Sequence, residues 1–247
     1  DYQYHNTMFL VAHFHYVLIP GAVFAVIAGF HYWFPKVFGF RLNEKLGKIA
    51  FWFIAISFNV TFFPMFFLGL MGMTRRTYTY SAETGFGPLN MLSMVGAIGL
   101  AIGFIILVYN IYWSTRYEPR DKTGDPWDAR ALEWSTPSPV PVYNFAVTPK
   151  VKGRDAYWFS KKNNEPLSDE KITKIHMPSN TGKPFILGIA FFFLGFFLVF
   201  SWWIPSIVAG IAVLIIMATM SFDRDHGYYI PVEEIVQTEQ KLRGDTV

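Results

Sequence analysis

The chain has 247 residues, of which 52% are hydrophobic, 19% aromatic and only 16% charged. That profile is membrane-like, diluted by a polar stretch, and a formal charge of +3 without a basic run argues against a nucleic-acid partner. The absence of cysteine excludes disulfides, zinc–thiolate sites and iron–sulfur clusters built from this chain alone.

In chain order, Asp1 leads almost at once into apolar sequence, with no basic leader and no small-residue cleavage site. No signal peptide is expected, and the abrupt start predicts the later part of a longer subunit. Five apolar runs approach the roughly 20 residues needed to cross a bilayer: residues 7–34, 49–73, 89–113, 185–204 and 205–222. The fold class expected is therefore all-α, a polytopic membrane helix bundle contributing five transmembrane helices to a larger subunit. The last run is the shortest and is expected to tilt or lie partly in the interface. Pro20 and Pro64 should bend their helices. Gly96, Gly99 and Gly103 should form a close-packing helix face rather than a catalytic feature. Trp202-Trp203 and Pro205 read as a tight turn at a water interface.

Between Ser114 and Lys183 lies a polar segment with Pro137, Pro139, Pro141 and Pro149, expected to be largely extended. Its Trp127, Trp134, Tyr143, Phe145, Tyr157 and Trp158 are too aromatic for disorder and predict an ordered cap on the membrane helices. A short amphipathic helix is expected near residues 232–242. The resulting division is 1–113 for three transmembrane helices, 114–184 for a Pro-rich cytoplasmic loop, 185–222 for a transmembrane hairpin and 223–247 for a cytoplasmic tail. Basic residues set the orientation. Lys36, Arg41, Lys45, Lys48, Arg116, Arg120, Arg130, Lys183, Arg224, Lys241 and Arg243 would all lie on the cytoplasmic side. The N-terminal end then faces outward.

The chemistry concentrates in His13-Phe14-His15. Each helical residue turns about 100° around the axis, so an i,i+2 pair points to nearly opposite sides. Two ligands for one metal would sit at i,i+3 or i,i+4. The observed spacing instead suits two metal centres flanking one helix, and imidazole is a common axial ligand of haem iron. An imidazole in a span also serves as a hydrogen-bonded packing residue, but intramembrane ionisable groups are costly enough to suggest function. Phe14 either packs or fills the space between two macrocycles.

Arg75-Arg76 break the charge rule, because they fall at the outer end of the second run. They would anchor lipid headgroups or, given the histidines, pair with haem propionates at that depth. His5 lies just before the first run and could ligate a metal, bond a propionate or face water, the last being the simplest. Ser57, Asn59 and Thr61 suit helix–helix hydrogen bonds or a water path. His31 is expected at the cytoplasmic interface.

Three stretches then carry a resemblance: HNTMFLVAHFHYVL, NVTFFPMFFLGLMGMTRR and GDPWDARALEWSTPSPVPVYNFA. Together they resemble subunit I of the haem–copper terminal oxidases, most closely the bacterial quinol oxidases, over essentially the whole chain. The resemblance implies that His13 is the axial ligand of the high-spin haem at the oxygen-reducing centre, and so the catalytic residue. His15 would be one ligand of the low-spin haem, and Arg75 and Arg76 would hold propionates. Asn6, where cytochrome c oxidases usually carry Asp, and the form Met73-Thr74-Arg75-Arg76 favour quinol as the electron donor.

The implied cofactors are two haems, one low-spin and one high-spin, of haem A or O/B type. Copper would be bound by ligands outside this sequence. The implied partners are quinol, O2, oxidase subunits II, III and IV and the lipid bilayer of a bacterial plasma membrane. The expected activity is proton-pumping quinol:oxygen oxidoreduction, with the chain alone inactive. A cytochrome c oxidase, a non-enzymatic haem relay and a transporter are the alternatives.

Overall fold

A computed structural model describes residues 2–222 and 227–244. Asp1, Asp223, Arg224 and Val247, on which the leader, orientation and tail expectations partly rest, lie outside the described residues. The described residues form two compact units. One comprises residues 1–145, 149–169 and 239–247, the other residues 146–148 and 170–238.

The first unit begins with a continuous helical rod, Met8–Phe38. It consists of α1 (Met8–Leu18), a π-helical turn (Ile19–Phe24) and α2 (Ala25–Phe38). Pro20 lies in the π turn. A proline has no N–H to donate to the preceding turn, and the wider π-helical turn falls where that hydrogen bond is missing. Gly39 ends α2 with φ +77°, and its N–H returns to the Pro35 carbonyl at 2.8 Å.

Helix α3 (Glu44–Leu70) is capped by Asn43, whose side chain accepts from the Leu46 N–H at 3.1 Å. Helix α4 (Gly87–Tyr117) carries Pro88 in its first turn, where no hydrogen bond is lost. Helices α3 and α4 pack along the glycine face. A Cβ on Gly96 would strike Thr61, one on Gly99 would strike Ser57, and one on Gly103 would come within 2.6 Å of Ile54. At the far end Asn110 and Ser114, both fully buried, receive the Asn43 N–H at 3.1 and 2.9 Å. Asn110 in turn donates to the Asn43 carbonyl at 3.1 Å. Every polar group of that junction is thereby matched inside a low-dielectric setting, where an unmatched one would be costly.

Residues 118–155 fold as an ordered cap without long elements, followed by α5 (Ala156–Asn163). The segment expected to be extended is irregular backbone with bends and a single 3-10 turn at Leu132–Ser135, and its Trp127 and Trp134 bond to α2. Trp134 is fully buried and donates through Nε1 to the Tyr32 hydroxyl at 2.9 Å. Trp127 donates to the Tyr32 carbonyl at 3.0 Å, and Trp33 donates to Glu133 at 3.1 Å. Lys36 is 6% exposed and donates to the Thr136 hydroxyl at 3.1 Å, with its ammonium 5.2 Å from the Trp134 ring centre.

The second unit holds α6 (Lys183–Val199), α7 (Trp203–Ser221) and a small antiparallel pair, β1 (Ile175–Met177) with β2 (Tyr228–Ile230). Ile175 lies opposite Ile230. The chain reverses between α6 and α7 at Ser201, φ +57°, and Trp203 and Pro205 already belong to the first turn of α7. The tail helix is α8 (Val232–Arg243).

Among the described residues four helices of 18 residues or more are apolar enough to cross a membrane, Met8–Phe38, Glu44–Leu70, Gly87–Tyr117 and Trp203–Ser221, and α6 is a shorter apolar helix. Of the two apolar helices of the second unit, α6 is the shorter at 17 residues, whereas the final run forms a helix of 19. The reason is local: Phe200 to Trp202, read as span by hydropathy, are spent on the reversal.

Candidate functional site

The candidate site lies around α1, whose N-terminal end is fastened to the end of α3. The Met8 N–H donates to the Met73 carbonyl and the Arg75 N–H to the Asn6 carbonyl, each at 3.0 Å. Thr7 and Thr74 form the antiparallel bridge between those bonds. One turn in, Gly69 lets α3 press against the backbone of Phe9, where a Cβ would come within 2.8 Å of the Phe9 Cα. This close approach fixes the height and rotation of α1 and hence the directions of its imidazoles.

His15 is half-buried, and its Nδ1 lies 2.7 Å from the Val11 carbonyl. A carbonyl only accepts, so Nδ1 is the donor, and in a neutral ring the lone pair lies on Nε2. That is the tautomer a metal ligand needs, with the outer nitrogen held by the protein and the other free. The His15 ring stacks on Phe62 at 4.1 Å between centroids and 17° between planes, and meets Phe14 at 4.4 Å and 30°. His13 is exposed and makes no hydrogen bond or ring contact among the described residues. As expected from the spacing, the two imidazoles leave the helix on different sides.

Arg75 is half-buried and Arg76 exposed, and neither guanidinium has a partner among the described residues. Arg76 has φ +65°, in the left-handed region that a non-glycine residue enters at a cost. This turn sends consecutive side chains in different directions. His5 is exposed at the same end, also without a side-chain partner among the described residues. The site thus gathers imidazole and guanidinium groups that the chain itself leaves unmatched. Their chemistry fits a group with a metal to ligate and carboxylates to pair: Nε2 of His15 and the free His13 ring for the former, Arg75 and Arg76 for the latter. Among the described residues no cluster of three His, Asp or Glu side chains could hold a bare metal ion.

Three polar residues of α3 turn out to be helix contacts. Thr61 donates to the Ser57 carbonyl at 2.7 Å, and both residues face the α4 glycines. Asn59 accepts from the Tyr16 hydroxyl at 2.8 Å. His31 is half-buried. Its Nδ1 is 2.9 Å from the Ile27 carbonyl, and its Nε2 is buried beside Gly47 without a partner. Sequence reading missed Phe62, the Val11 carbonyl, Gly69 and Tyr16. Only Gly69 left a trace, as a small residue in the otherwise bulky run FFLGL.

Fold and site together define a membrane helix assembly that presents paired imidazoles from one rod. Comparison with known proteins then makes the class specific. Residues 1–99 match the family model described as Cytochrome C and Quinol oxidase polypeptide I. The chain is 54% identical over 245 residues to Quinol oxidase subunit 1 of Bacillus spizizenii, with 98% of this chain and 38% of the relative covered. The match to the Bacillus subtilis protein of the same name has the same identity and coverage. Probable quinol oxidase subunit 1 of Staphylococcus epidermidis is 49% identical over 247 residues, covering 98% of this chain and 37% of the relative. The chain is similar to this family of oxidase subunit I polypeptides over nearly its whole length, and it spans about 38% of the length of the curated Bacillus relatives.

Proposed function

We propose that this chain is part of subunit I of a haem–copper quinol oxidase in a bacterial plasma membrane. The observation that carries the reading is His15, whose Nδ1 is tied to the Val11 carbonyl at 2.7 Å so that Nε2 is left free. When bound, two haems and a copper would supply the electron transfer from quinol that reduces O2 to water, coupled to proton pumping.

This chain's residues would do the holding. His15 would ligate the low-spin haem iron and His13 the high-spin iron, from opposite sides of α1. The partnerless guanidiniums of Arg75 and Arg76 would pair with haem propionates, and Phe14 would sit between the two macrocycles. His5 would line the outer rim. Copper ligands would come from sequence beyond this chain, and subunits II, III and IV would complete the assembly. The names of the relatives favour quinol over cytochrome c as donor.

In this reading residues 1–113 carry the haem ligands, residues 114–184 form a cytoplasmic cap, residues 185–222 a membrane hairpin with α6 as the fifth span, and residues 223–247 a cytoplasmic tail. At about 1.5 Å per residue, the 17 residues of α6 reach roughly 26 Å, close to the hydrocarbon thickness of a bilayer. The N-terminal end would face outward, with Lys36, Arg41, Lys45 and Lys48 inside.

The test is a pair of substitutions in the complete oxidase. His13→Ala should abolish carbon monoxide binding to the high-spin haem while the low-spin band persists, and His15→Ala should do the reverse. An unchanged haem spectrum in both variants would end the reading.

A further inference from the structure

We infer that Phe62 is a positioning residue for His15, setting the plane in which the imidazole would meet a metal; this rests on the reading of His15 as a haem ligand. A single hydrogen bond from Nδ1 fixes one atom of the ring and leaves the ring free to tilt about that bond. The tilt is restrained by the Phe62 ring, parallel to the imidazole within 17° at a centroid distance of 4.1 Å. Phe62 is itself 9% exposed and packs on Phe58 at 5.4 Å. It projects from α3, the helix locked to α4 through Thr61 and Ser57 against Gly96 and Gly99. The orientation of His15 is therefore referred to the most closely packed helix pair of this unit.

A second histidine on the same rod provides the contrast. His31 has the same tie, with Nδ1 2.9 Å from the carbonyl four residues back. Its aromatic neighbour Phe30 stands edge-on, at 6.3 Å and 82°. The backbone tie alone does not bring a parallel ring with it. Core aromatics meet at many angles, as Phe62 itself meets Phe58 at 46°, so generic packing does not require the parallel arrangement at His15. The plane of an axial imidazole sets its overlap with the iron d orbitals, so groups that orient the ligand tune the spectrum and potential of the metal.

The experiment compares Phe62→Leu, Phe62→Tyr and Phe58→Leu in the complete, haem-loaded oxidase. Low-spin haem is followed by electron paramagnetic resonance and by the reduced optical band. The expected result is displaced low-spin g values and band position in Phe62→Leu, near wild-type values in Phe62→Tyr, and little change in Phe58→Leu. Carbon monoxide binding at the other haem should stay as in wild type throughout. If Phe62→Leu fails to assemble, Phe62→Met, unbranched and adaptable, is read in its place. Wild-type g values in the Leu or Met variant, or an equal displacement in Phe58→Leu, would overturn the inference. His15→Ala separates the two levels: retention of the low-spin haem there defeats the ligand reading itself, whatever Phe62 does.

Discussion

The two ends of the rod Met8–Phe38 handle polar side chains in opposite ways. At the C-terminal end Tyr32, Trp33 and Lys36 each find a partner in the cap, through Trp134, Glu133 and Thr136. At the N-terminal end His13 and the neighbouring Arg75 and Arg76 find none among the described residues, and His15 uses only one nitrogen. Buried polar groups cost free energy unless they are matched, and the buried Lys36 and Trp134 are matched. That end is therefore architecture. At the other end His13 and Arg76 are exposed, so no burial cost demands an intrachain partner and both side chains are open to a group from outside the chain.

The strongest way to break this contrast acts on the docking of the N-terminal end. Gly69→Ala would drive a methyl group into the backbone of Phe9. Both haem signals of the complete oxidase are expected to be lost together, measured as the total haem spectrum per protein. Gly21→Ala is the control, because a Cβ there meets nothing within 4 Å. Equal haem content in the two variants would remove Gly69 from the site's foundations.

Next in size is the C-terminal end. Trp134→Ala empties a fully buried indole site and leaves the Tyr32 hydroxyl without that donor. A loss of about 3–5 kcal/mol is typical for such a truncation. The cap should become protease-sensitive while the haem spectrum stays near wild type. A haem spectrum that changed as much as in Gly69→Ala would mean that the two ends are not separate in function.

A smaller effect is expected from Arg75→Gln. The haem midpoint potentials should shift, measured by redox titration, whereas stability should barely move because no intrachain partner of the guanidinium is lost. Unchanged titrations would favour a lipid-anchor role.

The smallest effect concerns pH. In the cap, Lys161 lies 2.8 Å from Asp125 and 2.7 Å from Asp128. Burial acts to lower its pKa, but the hydrogen bonds to both carboxylates outweigh it and hold the pKa above its ordinary value. The Tyr157 pKa is also raised, first by burial and then by the nearby Asp125 charge. Both groups prefer their protonated forms when folded, so their contribution is complete below the unfolded pKa values and is lost as pH rises through the folded ones. Cap protection against proteolysis should hold at neutral pH and weaken above about pH 10, and Lys161→Met should remove most of that alkaline step. A pH-independent cleavage rate would contradict this assignment.

The apolar runs, the glycine face of α4 and the opposed directions of His13 and His15 were legible from residue order, because helix period and bilayer thickness act locally. So was the ordered cap, through its aromatics. The boundary between α6 and α7 was not, since hydropathy treats Phe200 and Trp202 alike whether they span or turn. Lys36 illustrates the same limit at the other end. It reads as a cytoplasmic charge, but its ammonium is buried beneath Trp134, about 100 residues away in sequence.

Sequence by itself determined that one helix carries two imidazoles on different sides, because 100° per residue admits no other outcome for an i,i+2 pair. The folded structure decided which nitrogen of His15 is free, which ring lies parallel to it and which cations remain unpaired among the described residues. The free nitrogen follows from the Val11 carbonyl within α1, but the ring beside His15 depends on how closely α3 approaches α1, a distance set by Gly69 and Phe62, far along the chain from the imidazole.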